Sequence, residues 1–144
     1  MKLLILNGPN LNLLGLREPE IYGNQTYDDL CKLIEAHAAA SHVEVEIRQT
    51  NHEGLLVDWI QQARGIYDGI VLNPAAYTHS SVALLDAVLA VGLPTVEVHL
   101  SDPMRREAFR QISYVRSACV ATIAGKGFAG YLEAMDLLLQ RYSA

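Results

Sequence analysis

The chain alternates short apolar runs with longer stretches in which apolar residues recur at helical spacing. Residues 3–6, 43–47, 70–72, 95–98 and 120–123 are rich in Val, Ile and Leu, the pattern of strands buried on both faces of a parallel sheet. Between the first two runs, Thr26 stands as an N-cap with Asp29 three residues on, and Leu30, Leu33, Ile34, His37 and Ala38 follow at helical spacing. The pattern predicts a second helix over 53–64, closing before the turn at Tyr67-Asp68-Gly69. A third runs from near Ser80 to Gly92, with Pro94 opening the next strand. A last one starts near Gly127 and carries Tyr131, Met135, Leu138 and Leu139.

Strands alternating with helices predict an open, doubly wound α/β domain with a five-stranded parallel sheet. By analogy with other domains of this size, the expected order is the flavodoxin-like 2-1-3-4-5. In such sheets ligands bind beyond the carboxyl ends of the strands, beside the switch between strands 1 and 3. The predicted ends are Asn7, Asn73 and His99, all polar, and they are expected to converge on one crevice. The third helix carries a separate signal, because residues 82–91 are apolar on every side except at Asp86. A helix apolar all round needs cover on two sides, and a carboxylate within that surface needs a partner. The expectation is a homo-oligomer with Asp86 at or near a subunit contact.

Bulk properties narrow the function. A chain of 144 residues suits one domain, here 1–144, with a real core. A net charge of −5 without a Lys/Arg cluster argues against nucleic-acid binding. Cys31 and Cys119 lack metal-ligand spacing, so a reduced, cytoplasmic protein is expected. The opening MKLLILN breaks at Asn7-Gly8-Pro9, too soon for a secretory signal, and no run is long enough for a membrane span.

Candidate chemistry concentrates in a few places. Residues 7–23, NGPNLNLLGLREPEIYG, hold Asn7, Asn10, Asn12, Arg17 and Tyr22 in a Gly/Pro-punctuated segment. A cation near a phenol is the arrangement that makes Tyr a usable base near neutrality. The same residues read equally as a surface loop with a packed Tyr. Glu97 and His99 lie two apart on a predicted strand and share a face. A carboxylate there fixes the imidazole and suits it as a general acid, although a His closing a strand with a structural hydrogen bond fits as well. Ser101 or Asp102 followed by Pro103 predicts a helix start whose free amides can receive a substrate carboxylate. Arg110 is placed to add a charged contact. The loop 73–81 offers Asn73 and His79 to ligand hydroxyls, or else simply caps the third helix through Thr78 or Ser80. His37 reads as a rim residue and His42 as a turn, while Asn51 is expected to cap the helix after His52. The five His and two Cys suggest no zinc site. A G-x-S-x-G elbow and a dinucleotide fingerprint are both missing. Among the lysines only Lys126 falls near a predicted strand end.

These residues resemble one family, type II 3-dehydroquinate dehydratase. The matching segments are 7–23, NHEG at 51–54, DWIQQA at 58–63, NPAAYTHSSVALLDA at 73–87, VEVHLS at 96–101 and REAFRQISY at 106–114. The resemblance implies anti elimination of water from 3-dehydroquinate through an enolate, with no metal, cofactor or imine. It assigns Tyr22 as the base, Arg17 as the lid residue that lowers the Tyr22 pKa, and Asn12 as holder of a water on the enolate oxygen. His99 becomes the acid, oriented by Glu97. Asn10, Asn73, His79, Arg110 and the Leu100 and Ser101 amides become substrate contacts, with Asp86 reaching in from a neighbouring subunit. It also implies a dodecamer built from trimers. Ala75, Ser81 and Met104-Arg105 depart from the commoner family pattern, and Ala75 matters if its position needs a positive φ. The competing reading is a flavodoxin-like binding or assembly module. It leaves Arg17, Tyr22, Glu97 and His99 without a purpose, and Asn7 and Asn73 stand where a receiver domain needs acids.

Overall fold

The computed structural model describes residues 1–16, 20 and 24–143. Arg17 and Tyr22 lie outside them. The strands are β1 (Lys2–Asn7), β2 (Glu44–Gln49), β3 (Gly69–Asn73), β4 (Thr95–His99) and β5 (Ala121–Ala124), and the helices are α1 (Tyr27–Ala40), α2 (Glu53–Gln62), α3 (Val82–Val91) and α4 (Ala129–Tyr142). All strand pairs are parallel, in the order β2-β1-β3-β4-β5. This is the doubly wound, flavodoxin-like arrangement that the pattern predicts.

Alternation along the strands divides the core in two. Leu3 and Ile5 join Val71, Val96 and Val98 on one face and pack against Leu30 and Ile34 of α1 and Tyr131, Met135 and Leu138 of α4. Leu4 and Leu6, with Ile70 and Leu72, face the other way onto Leu56 and Ile60 of α2 and Leu84 and Val88 of α3. Successive residues of a strand point to opposite faces, so a continuous apolar run feeds both layers. β2 departs from that expectation: it is the sheet edge, and Glu44 and Glu46 on it are exposed. β5 begins one residue later than predicted, and Val120 before it is 37% exposed.

Local chemistry sets the helix ends. Thr26 Oγ1 accepts the Asp29 N–H at 3.1 Å while Asp29 Oδ2 accepts the Thr26 N–H at 3.0 Å, a complete capping box on α1. Ser81, rather than Thr78 or Ser80, caps α3 by accepting the Leu84 N–H at 3.0 Å. Gly92 ends α3 with φ 70°, a conformation that glycine adopts without a Cβ penalty. α2 stops at Gln62, short of the predicted Arg64. Its N-cap residue is His52, without a side-chain cap, and Asn51 Oδ1 instead accepts the Asn10 N–H at 3.0 Å.

Candidate active site

The site begins where β1, β3 and β4 end. In register, Asn7 pairs with Asn73, so the chain leaves the sheet at one level on both sides of the switch point. Gly8 then passes so close to the β3 exit that a Cβ there would lie 2.5 Å from the Pro74 carbonyl oxygen. Only glycine fits, and its N–H donates to the Asn73 carbonyl at 2.8 Å. Beyond this junction lies a cavity of about 190 Å³. Asn10, Asn73, His79, His99, Leu100, Ser101 and Arg110 all line it. The structure therefore gathers seven of the expected residues from four separate segments.

Beneath the cavity runs a buried polar chain. Asn73 Oδ1 accepts the Ala75 N–H at 3.0 Å and Asn73 Nδ2 donates to the Tyr131 hydroxyl at 2.8 Å. Tyr131 donates onward to Asn7 Oδ1 at 2.7 Å, and Asn7 Nδ2 donates to the Tyr27 hydroxyl at 3.3 Å. Asn7 is thus turned inward and does not line the cavity. Tyr131 is fully buried, and burial pushes its phenol well above the usual range, so it stays a neutral relay of hydrogen bonds. Ala75 sits at φ 52°, the left-handed region that costs an alanine about 1–2 kcal/mol. Ala75 is therefore strained, and the Asn73 bond holds it in place.

Glu97 and His99 meet as their spacing on β4 requires. His99 Nε2 is 2.6 Å from Glu97 Oε2, and a carboxylate accepts, so Nε2 carries the proton and Nδ1 is the ring nitrogen left for a ligand. Glu97 is wholly buried. Its Oε2 also accepts from Ser113 Oγ at 2.6 Å and Thr78 Oγ1 at 2.9 Å, and its Oε1 from Arg116 Nε at 3.1 Å and Thr122 Oγ1 at 2.9 Å. Burial alone would raise its pKa. The bond and charge of His99, with the Ser113 and Thr78 bonds, outweigh that and hold the carboxyl far below the usual range. Glu97 is an anion in the interior of the protein.

His79 works differently. Its Nδ1 is 2.7 Å from the Ile112 carbonyl oxygen, which can only accept, so Nδ1 holds the proton. Burial first, and then the charges of His99, Arg110 and Arg106, depress its pKa, and the Ile112 bond opposes them. The neutral ring presents Nε2 as an acceptor for a ligand hydroxyl. Arg110 Nε donates to Glu107 Oε2 at 2.7 Å. Arg106 also lines the cavity; the sequence reading carries it only within the matching segment 106–114 and gives it no role.

Some expectations change. The helix predicted after Ser101 is a three-residue 3-10 turn, Pro103–Arg105, and Asp102 Oδ1 already accepts the Met104 N–H at 3.0 Å. It offers no helix terminus to an anion; Arg106 and Arg110 bring positive charge to the cavity wall. Asn12 is outside the cavity lining, and its Oδ1 accepts from Gln49 Nε2 at 3.2 Å. Asp86 is exposed on α3, also away from the lining. Cys119 lies against Glu97, and burial with that negative charge pushes its thiol up to about 12. No group of metal-ligating side chains is assembled among the described residues, and none of their helices is long and apolar enough to cross a membrane.

Comparison with known proteins agrees with this geometry. The family described as dehydroquinase class II matches residues 1–139. The chain is 56% identical to a 3-dehydroquinate dehydratase of Corynebacterium glutamicum, over 95% of this chain and 94% of that relative. It is 53% identical to 3-dehydroquinate dehydratase 2 of Pseudomonas aeruginosa, over 98% and 95%. The crystal structure of type II dehydroquinase from Butyrivibrio crossotus superposes with a TM-score of 0.95 at 47% identity, covering 96% of this chain and 97% of that one. Similarity of this extent, in sequence and in fold, makes the chain a member of the class II dehydroquinase family.

Proposed function

We propose that the strand-end cavity is where 3-dehydroquinate loses water to give 3-dehydroshikimate through an enolate. The activity is that of a 3-dehydroquinate dehydratase, a lyase of the shikimate pathway. The observation that carries the assignment of the site is His99 at the cavity wall, backed by the buried Glu97 anion.

The reaction needs a base for a weakly acidic C–H beside a ketone, stabilisation of the enolate, and an acid for the departing hydroxyl. Tyr22 takes the proton as a phenolate, its pKa lowered by Arg17, and the C–H electron pair moves onto the ketone oxygen. A water held by Asn12 hydrogen-bonds that oxygen, with Asn10 supporting the same region. The enolate then collapses, the C–O bond breaks, and His99, as an imidazolium whose Nε2–H stays on Glu97, gives its Nδ1 proton to the leaving hydroxyl, so that water departs and a conjugated enone remains. No metal, cofactor or imine takes part. Arg110 and the Leu100 and Ser101 amides hold the carboxylate, while Asn73 and neutral His79 hold hydroxyls. Asp86 acts from a neighbouring subunit of a dodecamer built from trimers, and the enzyme works in the cytoplasm.

The test is the ultraviolet absorbance of the enone when purified protein meets 3-dehydroquinate without added metal or cofactor. A growing signal that survives borohydride treatment with substrate is expected. A flat trace from folded protein would sink the reading. His99→Ala should abolish most of the signal while leaving the fold intact by circular dichroism.

A further inference from the structure

We infer that Arg116 is a positioning residue that sets the acidity of His99 from behind, by holding Glu97 as an anion through its far oxygen. The inference rests on His99 acting as the general acid.

A carboxylate can take the imidazole's proton instead of merely orienting the ring. A buried carboxylate has a particular reason to do so, since the neutral pair is cheaper to bury than the ion pair. Here the two oxygens of Glu97 are served by different sets. Oε2 meets His99, Ser113 and Thr78, and because the Ser113 and Thr78 hydroxyls also lie 2.7 Å from each other, two protons serve three contacts on that side. Oε1 meets Arg116 and Thr122. Arg116 is the fixed cation in this set, at 3.1 Å from an oxygen with no exposure. Its guanidinium cannot give up its proton. It therefore draws the carboxylate charge toward Oε1 and leaves Oε2 a weaker base toward His99.

Other described groups face the pair. His79 and, through it, Arg106 and Arg110 lie on the cavity side of His99. The Cys119 thiol lies against Glu97 and stays protonated. Thr78 comes from the turn before α3, Ser113 and Arg116 from the segment between β4 and β5, and Thr122 from β5, so the cradle closes only when the fold is complete. Removing the Arg116 charge should make Oε2 a stronger acceptor for His99 Nε2–H, so that the imidazolium holds its Nδ1 proton more tightly, and a tighter-held proton is delivered less readily to a leaving hydroxyl.

The measurement is the ring titration of His99 by nitrogen NMR in ligand-free protein, in the parent, Arg116→Gln and Arg116→Lys, with pH profiles of kcat alongside. In Arg116→Gln the His99 midpoint should rise by on the order of one pH unit. Turnover should fall about tenfold or more, within the range of one acid–base contribution, with KM little changed. Arg116→Lys should move the midpoint back toward the parent. An unmoved midpoint in folded Arg116→Gln overturns the inference. If that variant does not fold, Thr122→Val removes the other donor to the same oxygen and should shift the midpoint the same way; no shift there overturns it equally. The NMR arm needs no substrate, so a parent that fails to turn over 3-dehydroquinate would count against the proposed function and leave this result to be read separately.

Discussion

The proposed chemistry rests on single protonation states. If Tyr22 is the base, Tyr22→Phe keeps the ring and removes the proton acceptor. Turnover should drop by at least about 100-fold while a substrate analogue binds almost as before; near-normal turnover would reject the role. His79 sends its effect into stability. Its folded pKa is depressed, by burial first and then by neighbouring cations, so the unfolded chain binds the proton more readily. His79 contributes no penalty above its unfolded value of about 6.5, and its penalty grows as pH falls from there to the folded value. The His79→Gln variant should therefore lose less stability than the parent between pH 7 and pH 5, as urea unfolding at the two pH values would show. Equal losses would mean that the ring is not held neutral. Ala75 makes a third case. At φ 52° a glycine relieves strain but gives the unfolded chain more freedom, so Ala75→Gly should stabilise by no more than about 1 kcal/mol. A measured loss of stability would show that the Asn73 bond does not impose strain there.

At the scale of elements, the strongest local signals were those whose chemistry is complete within a few residues. The α1 capping box was readable from Thr26 and Asp29 because both partners sit in one turn. Thr26→Ala should cost about 1 kcal/mol, seen as a lower thermal midpoint, while Thr26→Ser should be close to neutral. Equal effects of the two would point to the Thr methyl rather than the cap. Where caps fell differently, a tertiary contact decided. Thr78 was available to cap α3 but is buried against Glu97, leaving the cap to Ser81. Asn51 was available to cap α2 but its side chain is drawn to the Asn10 amide and to Gln49 Nε2, at 3.0 and 3.1 Å. The helix expected after Ser101 is a three-residue turn, and the apolar residues in and beyond it, Met104, Phe109 and Ile112, stay more than half exposed instead of docking as a helix face.

For the whole molecule, α3 raises the question of what covers it. Leu84, Ala87 and Val88 pack into the core, while Val82 at 51% and Leu89 at 60% exposure face outward with Ala83, Asp86 and Ala90. An apolar helix face with one carboxylate in it suits a subunit contact. In the proposed assembly, Leu89→Asp should lower the sedimentation coefficient toward that of smaller species and should impair turnover only if Asp86 of a neighbour completes the site. Unchanged sedimentation would place the contact on another surface.

The sequence by itself determined the alternation of strands and helices, the helix faces and the Glu97–His99 pair, while the strand order came by analogy with other domains of this size. Strand alternation and helical spacing are periodic, and a separation of two on a strand leaves no choice of face. The resemblance in residues 7–23 also pointed to the reaction before any geometry was known. Tertiary structure alone decided what keeps those groups in their working states. Thr78, Ser113, Arg116 and Thr122 reach Glu97 from three segments, and Tyr131 joins Asn7 to Asn73 across more than half the chain. A buried glutamate announces that partners must exist, but no spacing along the chain names them. The hydrogen bonds that set its charge form only once distant segments have packed together.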